Sequence, residues 1–192
     1  RDDVSIAGLL REAATRALED AGMDWTDIEA VVVGKAPDMF EGVIMPEAYL
    51  TDALGCNGKP MLRVHTAGSV GGSTALVAAS HVQSGTVKRV LTVSFEKQSA
   101  SNAMWALSNP QPFSTHLNAG AGGYFAPIIR EYMRRSKAPY NVGIKVAVKD
   151  RLHGARNPLA HLQKPGITMK EVEDSFMLWD PIRFLESCPS SD

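Results

Sequence analysis

The run from Met61 to Phe95 most constrains what this chain can fold into. Met61–His65 reads as a strand, a glycine-rich bend follows, Val70–Ser84 reads as a helix, Gly85 ends it, and Lys88–Phe95 reads as a second strand. Two strands joined by one helix form a β-α-β unit, the signature of a parallel sheet, so the chain is an α/β protein. The helix opens on Gly71, Gly72 and Ser73 and continues with Ala75, Ala78 and Ala79. A glycine inside a helix costs about 1 kcal/mol relative to alanine, so two adjacent ones demand a packing or site reason. Small residues on several faces predict a central helix packed all round. Amide N–H groups at such a helix start favour an anion or a developing oxyanion. His65 and Ser69 lie in the bend that leads to it. A buried strand-to-helix turn without chemistry accounts for the same residues, and both readings stand at this point.

The flanking segments fit the same class. Val4, Ile6, Leu9, Leu10, Ala13, Ala14, Ala17, Leu18 and Ala21 recur at helical spacing. Asp2, Asp3 or Ser5 is placed to cap that helix, and Gly22 to end it. Ala30-Val-Val-Val-Gly34 reads as a strand buried on both faces. Pro46 opens a helix expected to reach Leu54. Gln98–Gly123, with Pro110, Pro112 and Ala119-Gly-Ala-Gly-Gly123, reads as a long covering loop. Helices are expected over Tyr124–Ser136 and Val142–Gly154, and Thr168-Met-Lys-Glu171 is a capping box.

Charge and cysteine usage exclude several classes. Twenty basic against 21 acidic side chains leave a net charge of −1, so the chain lacks the basic excess of a nucleic-acid binder. No apolar stretch approaches the roughly 18 residues of a membrane span. Cys56 and Cys188 make no disulfide framework, and a cytoplasmic location follows as the expectation. The His and Cys spacing shows no ligand set, so no metal is expected. The bend is no phosphate loop, because no lysine follows its glycines, and Ala67-Gly-Ser-Val-Gly71 meets the Gly-x-Ser-x-Gly pattern only in part. A chain that opens on Arg1 and stops at Asp192 is expected to be part of a longer protein.

Taken in order, the segments resemble the N-terminal half of a thiolase-like protein. The resemblance is to the branch of the sterol carrier protein X thiolase and the actinobacterial lipid-transfer proteins. It rests on Asp27-Ile-Glu-Ala-Val-Val-Val-Gly34, Val64-His-Thr-Ala-Gly-Ser-Val-Gly-Gly72 and Val90-Leu-Thr-Val-Ser-Phe-Glu-Lys97. Gly122-Gly-Tyr-Phe125 with Glu131-Tyr-Met-Arg134 is similar to the family's covering domain, and so are Val146–Arg151 with Ala155–Ala160. Asp180-Pro-Ile-Arg183 and Cys188–Asp192 are similar to its return to the core. The resemblance implies a layered αβαβα fold: an N-terminal core half over 1–97, a covering (loop) domain over 98–178, and a return to the core over 179–192. It also implies a homodimer acting on acyl-coenzyme A thioesters, with coenzyme A entering as substrate and no bound cofactor.

The family's nucleophilic cysteine stands at the start of the central helix. Here an ungapped match places Gly68 there, and one extra residue places Ser69 there. A serine needs a base, and His65 is the local candidate. Some members of the lipid-transfer branch are similar in lacking the cysteine. They are aldolases that cleave β-hydroxyacyl-CoA steroid intermediates with a small OB-fold partner, their acid and base lying largely in the second half. Retro-aldol cleavage is therefore the leading expectation. A thiolase-type acyltransferase using Ser69 and a non-catalytic acyl-CoA or sterol binding subunit are the alternatives. Gly71, Gly72, His116 and Arg134 are the candidate substrate contacts, though a solvated loop explains His116 and a solvated helix face explains Arg134. Glu96 and Lys97 end a strand, either beside a site or at the surface. Tyr124, Tyr132, Met133 and Cys188 are expected to be packed.

Overall fold

A computed structural model describes residues 3–35, 42–43, 45–100 and 120–189. The chain divides after Asn102 into two compact units. The first opens with helix α1 (Ile6–Ala21). Ser5 caps it, its hydroxyl accepting from the Gly8 amide, and Gly22 ends it at φ 64°, where a side chain would be strained. Leu10, Ala14 and Leu18, one helical turn apart, form its buried stripe.

Strand β1 (Ala30–Gly34) is buried along its whole length. It pairs in parallel with β2 (Met61–Val64) on one side and β3 (Val90–Ser94) on the other. Because neighbouring residues of a strand point to opposite faces, its two faces feed two cores. Val31 and Val33 pack with Leu10, Leu18, Leu50, Leu54 and Cys56. Val32 packs with Val64 and with Ala78 of helix α3 (Val70–Gln83). Helix α2 (Pro46–Tyr49) is a single turn rather than a helix reaching Leu54. The chain bends beyond it, and Gly55, at φ 59°, faces the Trp25 ring, whose Cε3 would lie 2.9 Å from an added Cβ.

At Gly34 the sheet and α3 come too close for a side chain. A Cβ there would sit 2.1 Å from Thr74 Oγ1 and 2.6 Å from Ser94 Oγ. Thr74 is fully buried, and its hydroxyl donates to the Val70 carbonyl. Helix α3 is not packed all round. Thr74 and Ala78 are its buried residues, whereas Gly71, Gly72, Ala75 and Ala79 are exposed and Leu76 is 71% exposed. Three strands offer this helix one surface, and that surface covers only the side carrying Thr74 and Ala78.

The second unit holds α4 (Gly120–Ser136), α5 (Val142–Gly154), α6 (Met169–Glu173) and an antiparallel pair, β4 (Met177–Trp179) and β5 (Ile182–Arg183). Its core joins Ile144 and Ala147 to Ile167 and Val172. Helix α4 begins within the glycine run, four residues earlier than expected. Gly122 lies close to the Trp179 ring, and a Cβ there would be 3.0 Å from Trp179 Cδ1. Thr168 and Glu171 close both arms of the capping box. Tyr124 and Tyr132 are exposed rather than packed, on the outer face of α4. Cys188 is exposed as well, beyond the 3₁₀ turn Phe184–Glu186. That turn is tied to α5 by Arg151, which donates to the Leu185 and Ser187 carbonyls. Glu186 accepts from the Arg183 amide at 2.7 Å, and its Oε1 would lie 2.1 Å from a Cβ on Gly143.

Two stability measurements test these contacts. Gly34→Ala should lower the chemical-denaturation stability by about 1–3 kcal/mol, the usual cost of overpacking. The Gly34→Ala/Thr74→Ala pair should lose less than the sum of its singles, since the two positions share one clash. Burial pushes the Glu186 carboxyl up, against the opposing pull of the Arg183 amide and guanidinium. A raised carboxyl favours the folded state while it is protonated, an advantage lost as pH rises through the raised value. Glu186→Gln should therefore match the parent protein below pH 4.5, the ordinary carboxyl value, and exceed it in stability at neutral pH.

Candidate active site at the start of the central helix

In the first unit, β2 delivers the chain to the bend, and α3 carries it back over the sheet. A 3₁₀ turn, Ala67–Ser69, joins the two. The Thr66 carbonyl accepts from the Ser69 amide at 3.3 Å and from the Ser69 hydroxyl at 2.8 Å. Thr66 Oγ1 in turn donates to Ser73 Oγ at 2.8 Å. These bonds hold the bend closed across the helix start. They also engage the Ser69 hydroxyl, which donates to the Thr66 carbonyl. No hydrogen bond joins His65 to Ser69 among the described residues; His65 is exposed where β2 ends.

Gly68, Gly71 and Gly72 are all exposed, and a Cβ on any of them would meet nothing within 4 Å. None has a positive φ. Neither backbone conformation nor contact among the described residues requires glycine at these positions. Their effect is to leave an open approach to the first-turn amides of α3, which have no carbonyl partner within the helix. Such N–H groups and the helix dipole favour negative charge at that point.

Cys56 supplies no thiolate there. Cys56 is buried in the layer on the opposite face of the sheet from α3, and burial pushes its thiol up despite Lys59 nearby. Cys188 belongs to the second unit. Arg134 also lies in that unit, where its guanidinium makes two hydrogen bonds to Glu131 and Arg135 makes a third. Those bonds hold the Glu131 carboxyl below its usual range. Arg134 is thus an exposed, internally paired helix residue. His116 lies outside the described residues.

Residues 1–121 match the family described as the thiolase N-terminal domain. The chain belongs to that family. Sterol carrier protein 2 of Gallus gallus is 25% identical over the whole chain and 36% of its own length. The 17-hydroxy-3-oxo-4-pregnene-20-carboxyl-CoA lyase of Mycobacterium tuberculosis is 26% identical over 96% of the chain and half of the lyase. An acetyl-CoA acetyltransferase of Methanothermobacter thermautotrophicus shows the same identity over 99% of the chain and half of that enzyme. Among solved structures, an Ltp2-ChsH2(DUF35) aldolase is similar at 27% identity and a TM-score of 0.74, over 99% of this chain and 49% of that one. The fold is therefore the thiolase-like α/β fold, in the sterol-carrier and steroid-lyase branch that the motifs indicated. This thiolase-family chain spans half or less of the length of these relatives.

Charged groups cluster where the strands end, which is where ligands sit in parallel α/β sheets. Lys35, just beyond β1, is fully buried, and its Nζ lies 3.8 Å from Glu96 Oε2. Lys97 is buried too and donates to Ser99 Oγ. Glu96 and Lys97 stood between site and surface in the sequence; Lys35 carried one signal, a lysine directly after a fully apolar strand. No described helix is long and apolar enough to cross a membrane.

Thiol titration tests the placement of the cysteines. In native protein an alkylating reagent should modify Cys188 at the rate of a surface thiol and leave Cys56 intact. Denaturation should expose Cys56. Rapid native labelling of Cys56 would contradict its burial.

Proposed function

We propose that the protein cleaves a β-hydroxyacyl-CoA thioester by a retro-aldol reaction. The observation that carries this reading is a helix start whose glycines are exposed, which has no cysteine and whose Ser69 hydroxyl donates to the Thr66 carbonyl. A base removes the β-hydroxyl proton, and the Cα–Cβ bond breaks. Its electron pair passes to the thioester as an enolate, and a carbonyl product leaves. Protonation at Cα then yields the shortened acyl-CoA. The reaction needs no acyl-enzyme, so Gly68 or Ser69 in the cysteine's place is compatible with it. The first-turn amides of α3, reached past Gly68, Gly71 and Gly72, stabilise the enolate oxygen. The similar M. tuberculosis protein is named a carboxyl-CoA lyase and the similar structure an aldolase, which supports the same chemistry here.

The substrate class we propose is an acyl or steroid side-chain thioester, handled in the cytoplasm by a homodimer. A small OB-fold protein is the proposed partner, and the similar Ltp2-ChsH2(DUF35) aldolase, with its two-part name, supports a partnered assembly. Acid and base groups are proposed to come largely from sequence beyond the matched half. His65, His116 and Arg134 are proposed at most as substrate contacts.

Incubating the full-length protein and its partner with a β-hydroxyacyl-CoA should release an aldehyde or ketone without added coenzyme A. Ser69→Ala should retain activity within a few-fold, because its hydroxyl serves the bend. Cleavage of a β-ketoacyl-CoA that requires coenzyme A and is abolished by Ser69→Ala would identify an acyltransferase instead. Turnover of neither substrate would leave a binding role.

A further inference from the structure

The bend before α3 is firmly held at both ends and loosely built between them. On the strand side, Val64 is buried and pairs with Gly34. On the helix side, Thr74 is fully buried and stands against the same Gly34. Between them lie Gly68, Gly71 and Gly72, where an added Cβ would meet nothing within 4 Å. Glycine has the widest backbone freedom of any residue, so such a segment needs ties to keep one conformation.

Thr66 supplies those ties. Its carbonyl accepts from both the amide and the hydroxyl of Ser69, at 3.3 and 2.8 Å, so one of these bonds can stand in for the other. The bond from Thr66 Oγ1 to Ser73 Oγ, at 2.8 Å, reaches further. It runs from the strand side past the whole turn to the fourth residue of α3, next to the anchored Thr74. At α1 and α6 the N-cap residues Ser5 and Thr168 fasten the helix start with their own side chains. Ser69, the N-cap of α3, makes no side-chain cap bond. The fastening at α3 therefore comes from Thr66, three residues earlier.

We infer that Thr66 is a positioning residue for the proposed retro-aldol cleavage, its bond to Ser73 holding the first-turn amides of α3 in the orientation that receives the enolate oxygen. This rests on the reading of that helix start as the place where the enolate charge develops. Thr66 acts through Ser73 and the backbone between them and need not touch the substrate. Donors held in place before the reaction stabilise developing charge without reorganising during it. Loosening the bend therefore weakens the step in which charge appears more than the binding of the uncharged thioester.

Steady-state kinetics of β-hydroxyacyl-CoA cleavage by the full-length protein with its partner test this, with kcat referred to folded protein. Thr66→Val keeps the side-chain shape and the carbonyl bonds and removes the donor. It should lower kcat about ten- to hundredfold with KM little changed. Ser73→Ala should do the same, and the double variant should lose no more than either single, because both break one bond. Thr66→Ser keeps the hydroxyl and should restore kcat. A merely structural role would lower the unfolding midpoint while kcat per folded molecule stayed at the parent value. Either single variant with parent kcat, or losses that add in the double variant, would overturn the inference and leave the retro-aldol reading standing. A parent protein that releases no carbonyl product overturns both.

Discussion

The close seating of α3 on the central strand governs the arrangement of the first unit. At Gly34 the strand carries no side chain, and Thr74 fills the space a Cβ would take. That contact sets the height of the helix above the sheet. With the helix axis fixed, its first turn is carried out to the level of the strand ends, next to the bend from His65 to Ser69 that leads into it. The β1 ladder supplies the other half of the constraint, since pairing on both edges leaves the strand no freedom to slip. A one-residue slip would bring Val31 and Val33 to the α3 face and Val32 to the α1 face.

Chemistry at the helix start follows from what that geometry presents. Three exposed glycines, each with open space where a Cβ would stand, and a serine bonded to the Thr66 carbonyl leave room for negative charge at the helix start. The buried thiol of Cys56 lies on the other face of the sheet. In the proposed reaction α3 stabilises an oxyanion and no acyl-enzyme forms.

Local features were legible in the sequence because their causes are local. The Ser5 cap, the Gly22 stop and the Thr168–Glu171 box each involve residues within four positions of a helix end. The apolar run Val31–Val33 announced a strand buried on both faces, and the single helix between β2 and β3 announced a parallel sheet, in which β1 lies between those two strands. Features with distant partners were not legible. Lys35 pairs with a residue 61 positions away, and nothing local distinguishes a buried lysine from one that ends a strand in solvent. The helical start at Gly120 escaped notice because a glycine run disfavours helix; the nearness of the Trp179 ring to Gly122 shows what a larger residue there would meet. The packing expected all round α3 failed because small residues record how closely a neighbour can approach and not whether one is present.

The central claim is that α3 receives an oxyanion and forms no covalent intermediate. Intact-mass spectrometry of the full-length protein, quenched during turnover of a β-hydroxyacyl-CoA, tests it most directly. The proposed reaction leaves the protein mass unmodified while acyl-CoA and carbonyl products accumulate. An acyl adduct that builds up on this chain and maps to Ser69 or Cys56 would contradict it.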